Sequence, residues 1–412
     1  MRLVFNGKKL KYNDLGGGLF EITSGTVRSR DFFIDGVLYN TLDAKANLLA
    51  SGVTDALRQP EGERGDALGD FLTDEIDYFD HALIKTSAAD DVVRGDPELA
   101  SFYHGGDGDD TLISQAEFDR LFGGRGNDTL SGGTTDQTSA GFFANDGTRG
   151  VNVNLAKGTA LDTYGDTDTL INITIVTGTD RNDRITGDDE DNELYSYDGN
   201  DRINGGGGDD LMSAGNGNDR LNGGAGDDEM YGGVGKDRLN GGSGDDILQG
   251  FDGKDRLSGG DGDDEILSGS GNDISKGGDG EDLIFGNSGK NTLRGGNDDD
   301  EIVGGDDGDK IFGDAGDDRM WGMQGNDTLT GGAGDDDFIF FRDPEVRQGN
   351  DVIKDYTPGD DTIILANGYL ERETDISVVR RNGEREILIE FSDGSVRVQG
   401  DLEISDLTIE FD

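Results

Sequence analysis

The chain has 412 residues, of which 72 are glycine and none is cysteine, and its 89 acidic against 36 basic residues give a formal charge of −53. That charge makes nucleic acid and anionic membrane surfaces poor partners and cations natural ones, and the missing thiol removes disulfides and cysteine chemistry. No run of 18 apolar residues occurs, so no membrane-spanning helix is expected.

The opening segment, MRLVFNGKKLKYND, lacks the apolar stretch of a secretory signal. Residues 1–40 read as short strands joined by glycine-rich turns. Two helical patterns follow, at 43–58 and 67–84, and the second places Leu68, Phe71, Leu72, Ile76, Phe79 and Leu83 on one face. Residues 1–100 are therefore expected to be a small α+β region.

A repeat begins in the next block, 101–133. Gly105 to Leu112 and Gly123 to Leu130 share the form GGxGxDxU, where U is apolar, and Asp119 and Leu121 keep the register between them. Residues 134–177 interrupt it. Their alternating stretch GVNVNLAKGTALD predicts a strand and turn that extend or cap the first stack.

From Gly178 the nonapeptide GGxGxDxUx runs through eighteen repeats to Ile339 without insertion or deletion. Position six is Asp in all but two repeats, which carry Asn192 and Asn291. Position eight is apolar in all but one, which carries Ser275. So strict a period calls for a stack of identical units rather than a conventional core. All four prolines lie outside it, as expected if its backbone donors are used in ladders.

The spacing has a physical reading. Three residues per repeat form a short strand with U pointing inward, and the glycines let the backbone turn sharply at positive φ and bring its carbonyls close to an ion. Calcium requires six to eight oxygen ligands, more than one aspartate supplies, but two stacked turns in register can enclose it. Position seven supports an 18-residue coil of two repeats, because it reads Arg184, Arg202, Arg220, Arg238 and Arg256 in odd repeats but Glu193, Leu211, Glu229, Ile247 and Glu265 in even ones.

Residues 178–339 carry 42 acidic and 13 basic residues. The gaps between successive turns offer room for about sixteen divalent ions, which would nearly cancel that excess. Without ions, carboxylates stacked along an edge repel by about 1 kcal/mol per pair in water and more when desolvated. One apolar side chain per nine residues does not offset that together with chain entropy. The array is expected to fold as it binds calcium.

These repeats closely resemble those of the RTX (repeats-in-toxin, haemolysin-type) family of calcium-binding parallel β-rolls. The resemblance covers 105–133 and 178–339 and implies an all-β parallel β-roll, or β-solenoid. It also implies that each ion lies between the turns of repeats n and n+2, held by position-six carboxylates and turn carbonyls. Asp183, Asp201, Asp219, Asp237 and Asp255 would line one edge, and Asp210, Asp228, Asp246, Asp264 and Asp282 the other. Asp110, Asp128, Asp273, Asp300, Asp309, Asp318, Asp327 and Asp336 complete the implied metal ligands. Some turns depart from the pattern: Arg181, Glu190, Asp298 and Asp307 replace the fourth-position glycine, and Tyr197, Phe251, Asn287, Asp314 and Met323 the second.

After Phe340, NDVIKDYTPGDDTIIL, the hairpin signal Asn382-Gly383 and ILIEFSDGSVRVQ predict an antiparallel β cap over 340–412. Its end, ISDLTIEFD, is similar to the uncleaved signals through which RTX proteins leave the cell by the type I secretion apparatus. By that resemblance the chain would stay unfolded in low-calcium cytosol and fold outside, as a secreted or cell-surface protein.

Signs of an enzyme are few. His81 and His104 are the only histidines, and neither HExxH nor GxSxG occurs. The reading is a structural, adhesive or surface-interacting protein, with the export-and-folding module of a toxin or polysaccharide-acting enzyme as the alternative. One face is less bland. Position nine of even repeats gives Tyr195, Tyr231, Leu267, Phe285, Val303, Trp321 and Ile339, joined by Leu211, Ile247 and Leu283. This outward stripe is expected to be covered by the chain's own segments, such as the 67–84 helix, or else by a surface glycan or protein.

Overall fold

In the computed structural model, the described residues are short strands within 4–39, residues 82–85, 90–95, 101–116, 118–133, 137–142, 149–341, 349–366, 375–381, 384–391, 394–400 and 402–411. Two compact units divide the chain, Met1–Asp188 with Asn192–Leu194, and Asp189–Asp191 with Tyr195–Asp412. Among the described residues both are β-rich and contain parallel coils, with antiparallel pairs within 4–39.

In the first unit one sheet runs through Ala82–Lys85, Ser101–Asp107, Arg120–Arg125 and Ser139–Gly141, all parallel. The other runs through Val92–Arg94, Thr111–Ile113 and Thr129–Ser131, then jumps 40 residues to Thr167–Ile171, with Leu112 on Leu130 and Leu130 on Leu170. The residues between enter the same sheet as the antiparallel pair Asn152–Asn154 and Thr159–Leu161, which turns on Gly158 at φ 64, with Thr159–Leu161 against Thr167–Ile171 and Asn152–Asn154 parallel to Arg184–Thr186. The predicted strand and turn thus extend the first stack.

The helical reading needs correction at its end. Ala82–Lys85, which takes in the last three residues of the 67–84 pattern, forms a strand, because Ser101–His104 lies beside it and supplies a parallel ladder. The pattern at 43–58, the rest of 67–84 and His81 lie outside the described residues.

The second unit shows why the period is nine. Odd repeats build one parallel sheet and even repeats the other, with every partner 18 residues away: Leu221 pairs with Leu239, and Met230 with Leu248. Position eight is the core. Leu248, Ile266, Ile284, Leu293, Ile302 and Met320 are fully buried, each stacked on its equivalent in the next coil. At roughly 1.5–3 kcal/mol per buried aliphatic side chain, these two columns, one on each sheet, are the main apolar contribution to the array. Its polar exception is satisfied, since the Ser275 hydroxyl lies 2.7 Å from that of Ser268, and both are buried.

Outer faces differ as position seven predicts. On the odd sheet Arg202, Arg220, Arg238 and Arg256 are exposed, and Asn240 donates to Asn222, which donates to Asn204, at 3.0 and 2.9 Å. On the even sheet the apolar stripe is half-exposed from Tyr195 to Trp321, with the Tyr231 ring 6.0 Å from that of Phe251 and Trp321 stacked 6.5 Å from Phe341, but Ile339, expected to point outward with it, is buried.

Most of the residues that replace turn glycines keep the glycine's positive φ, Arg181 and Glu190 being the exceptions. Tyr197, Phe251, Asn287, Asp314 and Met323 at position two, and Asp298 and Asp307 at position four, all adopt left-handed backbone at φ between 64 and 81. A side chain held there costs on the order of 1–2 kcal/mol. Asp307 is exposed and its charge also bears on Asp309, so Asp307→Gly is expected to raise stability in calcium by about 1 kcal/mol. Chemical denaturation reads this directly, and an unchanged or lower midpoint would contradict the strain.

Past the last repeat the coil continues before it is capped. Gly349–Ile353 and Thr362–Ala366 run parallel to the last odd and even strands, and Ile409–Phe411 runs parallel to Thr362–Ala366. Only Asp375–Arg381, Glu384–Phe391 and Gly394–Gln399 form the expected antiparallel meander. The antiparallel cap predicted over 340–412 is therefore confined to 375–399.

Candidate metal centre

Most position-six aspartates are held through one oxygen, Oδ1, and leave Oδ2 without a hydrogen-bond partner. Along one edge the Asp201 amide donates to Asp219 Oδ1 at 2.7 Å, Asp219 to Asp237 at 2.8 Å and Asp237 to Asp255 at 2.8 Å. Asp210, Asp228, Asp246 and Asp264 repeat the pattern along the other edge. The side chains are almost fully buried. The second oxygen, Oδ2, is buried and accepts no hydrogen bond at Asp219, Asp228, Asp237, Asp246, Asp255, Asp264, Asp273, Asp282, Asp300, Asp309, Asp318, Asp327 and Asp336, and likewise at Asp110 and Asp128 in the first unit.

The glycine corner shapes the space around that oxygen. A Cβ on Gly241 would collide with Asp246 Oδ2 and lie 2.8 Å from the Gly259 carbonyl oxygen of the next coil, and Gly295 relates in the same way to Asp300 and Gly313. Acceptors of one coil and the next thus converge where glycine leaves room.

Asn291 reveals what the corner needs. Its Oδ1 accepts from the Asp273 amide at 2.9 Å, as an aspartate's would. Its Nδ2, which replaces Oδ2, donates to the carbonyls of Gly286 and Gly289 at 3.1 and 3.2 Å. At an aspartate corner the same position is an oxygen facing oxygens, an arrangement that a cation or a proton must complete. Among the described residues no three Asp, Glu, His or Cys side chains converge on a point. A metal must therefore draw on main-chain carbonyls, and an all-oxygen set suits a hard ion such as calcium.

Electrostatics point the same way. Burial above all raises the carboxyls, Asp228 to about 6, Asp246 and Asp264 to about 7 and Asp300 to about 8, with neighbouring aspartates adding to the rise and main-chain donors opposing it. Asp327 is pushed up to about 9, by burial first and then by the adjoining Asp351. Bare carboxylates are poorly tolerated in these corners at neutral pH.

Not every aspartate leaves an oxygen open. Asp183 Oδ2 accepts from the Thr179 amide at 2.7 Å while its Oδ1 takes the Thr179 hydroxyl and the Val151 amide. Asn192 closes on Asp188. Asp119 continues the pattern of the short block, yet both its oxygens accept main-chain amides, from Ser101 on one side and Gln115 and Ala116 on the other.

Several members of the ladders escape a nonapeptide count. Asp110 accepts from the Asp91 amide and Asp168 from that of Asp128, while Asp351 accepts from Asp327 and Asp361 from Asp336. The signal available for the last two was a repeated triplet, Gly-Asn-Asp at 325–327 and 349–351, and Gly-Asp-Asp at 334–336 and 359–361. A second, exposed ladder was also missed. The amides of Asp227, Asp245 and Asp263 donate to the carboxylates of Asp209, Asp227 and Asp245, each at 2.9 Å. The equivalent odd positions are Asn200, Asn218, Lys236 and Lys254, so this fifth-position charge belongs to one edge alone.

The family model for the RTX calcium-binding nonapeptide repeat matches residues 104–136 and, in overlapping copies, 177–338. The chain belongs to the RTX calcium-binding repeat family. This RTX protein is similar to the solved AlgE6R3 subunit of the Azotobacter vinelandii mannuronan C5-epimerase, at 26% identity over 29% of this chain and 77% of that one, with a TM-score of 0.23. It is also similar to the extracellular lipase LipA from Serratia marcescens, at 14% identity over 72% of this chain and 44% of that one, with a TM-score of 0.22. No curated protein matches it.

Proposed function

We propose that this RTX protein is exported unfolded through the type I secretion apparatus, folds on calcium outside the cell, and serves there as a structural or adhesive element. The observation that carries the reading is the Asn291 corner: an amide donor completes a set of acceptors that its aspartate counterparts complete only by taking up a cation or a proton, and at neutral pH and above the cation is the better fit. Ions bound in this way make folding depend on calcium supply, which differs across the cell boundary. The carboxylates that would hold them are Asp201, Asp210 and their position-six equivalents through Asp336, with Asp110 and Asp128 in the first unit.

The half-exposed even face, with Tyr231, Phe285, Val303 and Trp321, is the surface on which a glycan or protein would dock. Immunoblotting of medium and cell lysate from the source cells tests export, and a glycan array combined with a hydrolase screen in calcium tests the role. Protein in the medium that binds without turnover is the expected outcome. Retention in the lysate would overturn the export reading, and turnover of any substrate would overturn the structural one.

A further inference from the structure

The matched repeats end at Phe338, yet a corner of the same construction lies beyond them. Gly349-Asn350-Asp351 stacks in register on Gly325-Asn326-Asp327, with Gly325 bridged to Gly349 and both glycines at positive φ, 133 and 107. The Asn350 amide donates to Asn326 Oδ1 at 3.0 Å and the Asp327 amide to Asp351 Oδ1 at 2.9 Å. The Val352 amide completes the coil by donating to the Asp327 carbonyl at 2.9 Å. Asp351 is 1% exposed, and its Oδ2, like that of Asp327, is buried with no hydrogen-bond partner.

The opposite edge provides an internal contrast. There Asp361 also receives the ladder bond, from the Asp336 amide at 3.2 Å, but its Oδ2 accepts from the Thr357 amide at 2.6 Å. One edge of the cap is closed by its own backbone and the other is left with an open buried oxygen.

Building on the calcium reading above, we infer that Asp327 and Asp351, with main-chain carbonyls of their glycine corners, hold a divalent cation that fastens residues 349–353 to the array. This site lies outside every nonapeptide and ties the C-terminal cap to the same ion supply as the repeats.

Native mass spectrometry of the calcium-loaded full chain tests it. Asp351→Asn is expected to carry one ion fewer than the unmodified chain and to keep the Val352 and Lys354 amides protected from exchange, since an amide at a corner can replace the ion as it does at Asn291. Asp360→Asn, at an exposed neighbouring position, is expected to leave the count unchanged. Equal counts for Asp351→Asn and the unmodified chain would overturn the site. A loss of several ions together with rapid exchange at Val352 and Lys354 would also overturn it, by making Asp351 a strut rather than a ligand. Failure of the unmodified chain to bind calcium at all would be a failure of the broader reading and is distinguishable from either.

Discussion

Placed in chelator at pH 8, the full chain is expected to lose its β circular-dichroism signal, and millimolar calcium should restore it. The array has little more than one buried apolar side chain per nonapeptide to set against chain entropy, and its corners gather oxygens that neither side chains nor main chain complete. Acid is expected to replace part of the ion's effect. Burial raises the carboxyls of Asp228, Asp246 and Asp300 to about 6, 7 and 8 in the metal-free fold, against 3.8 for an ordinary aspartate. A carboxyl raised in this way binds its proton more tightly folded than unfolded. Its stabilising protonation is complete below about pH 4 and is lost as the pH rises through 6 to 8. Lowering the pH in chelator from 8 to about 4 should therefore recover β signal. A spectrum unchanged by chelation would refute the coupling, and a chain that stays disordered at pH 4 would show that desolvation of the carboxyls is not the obstacle.

Asparagine at position six should free a corner from calcium. Replacing Asp219, Asp237, Asp255 and Asp273 together by Asn keeps each Oδ1 as acceptor for the preceding coil and converts each bare Oδ2 into a donor for the corner carbonyls, as at Asn291. Satisfying one buried polar atom contributes about 1–3 kcal/mol, so the fourfold variant should melt at markedly higher temperature than the parent in chelator while binding fewer ions in a calcium titration. The matching fourfold Ala variant removes the charge but supplies no donor, and is expected to show much less gain. Equal melting of the Asn and Ala variants would mean that charge removal, and not the amide, is what matters.

Sequence and structure agree over most of the unbroken period. Asp237 and Leu239 could be placed because spacing alone sets one at the corner and the other in the core, and two repeats per coil follow from the alternation of Arg238 with Glu229 and Ile247. Asp168, Asp351 and Asp361 were not legible by counting, because they stand 40, 24 and 25 positions from their ladder partners where the repeats have 18. Backbone pairing restores their register after each loop, and only a short glycine-containing triplet marks two of the three. Asp183 illustrates the reverse case. It has the right position, but Thr179, standing where glycine is usual, turns its amide and hydroxyl onto the carboxylate and closes the corner. Positive φ at Phe251 and Met323 was equally invisible, since the neighbouring coils and not residue type impose the turn.

The amide at Asn291 also divides the molecule's response to ion supply. Along the even edge the aspartates from Asp210 to Asp336 succeed one another without a break, so filling one gap prepares the next over the whole length. Along the odd edge the run from Asp201 to Asp273 is parted from Asp309 and Asp327 by a corner that takes no ion. Asn291 is thus a firebreak: metal lost from one side of it need not spread to the other, and the odd edge should fill as two separate blocks while the even edge fills as one.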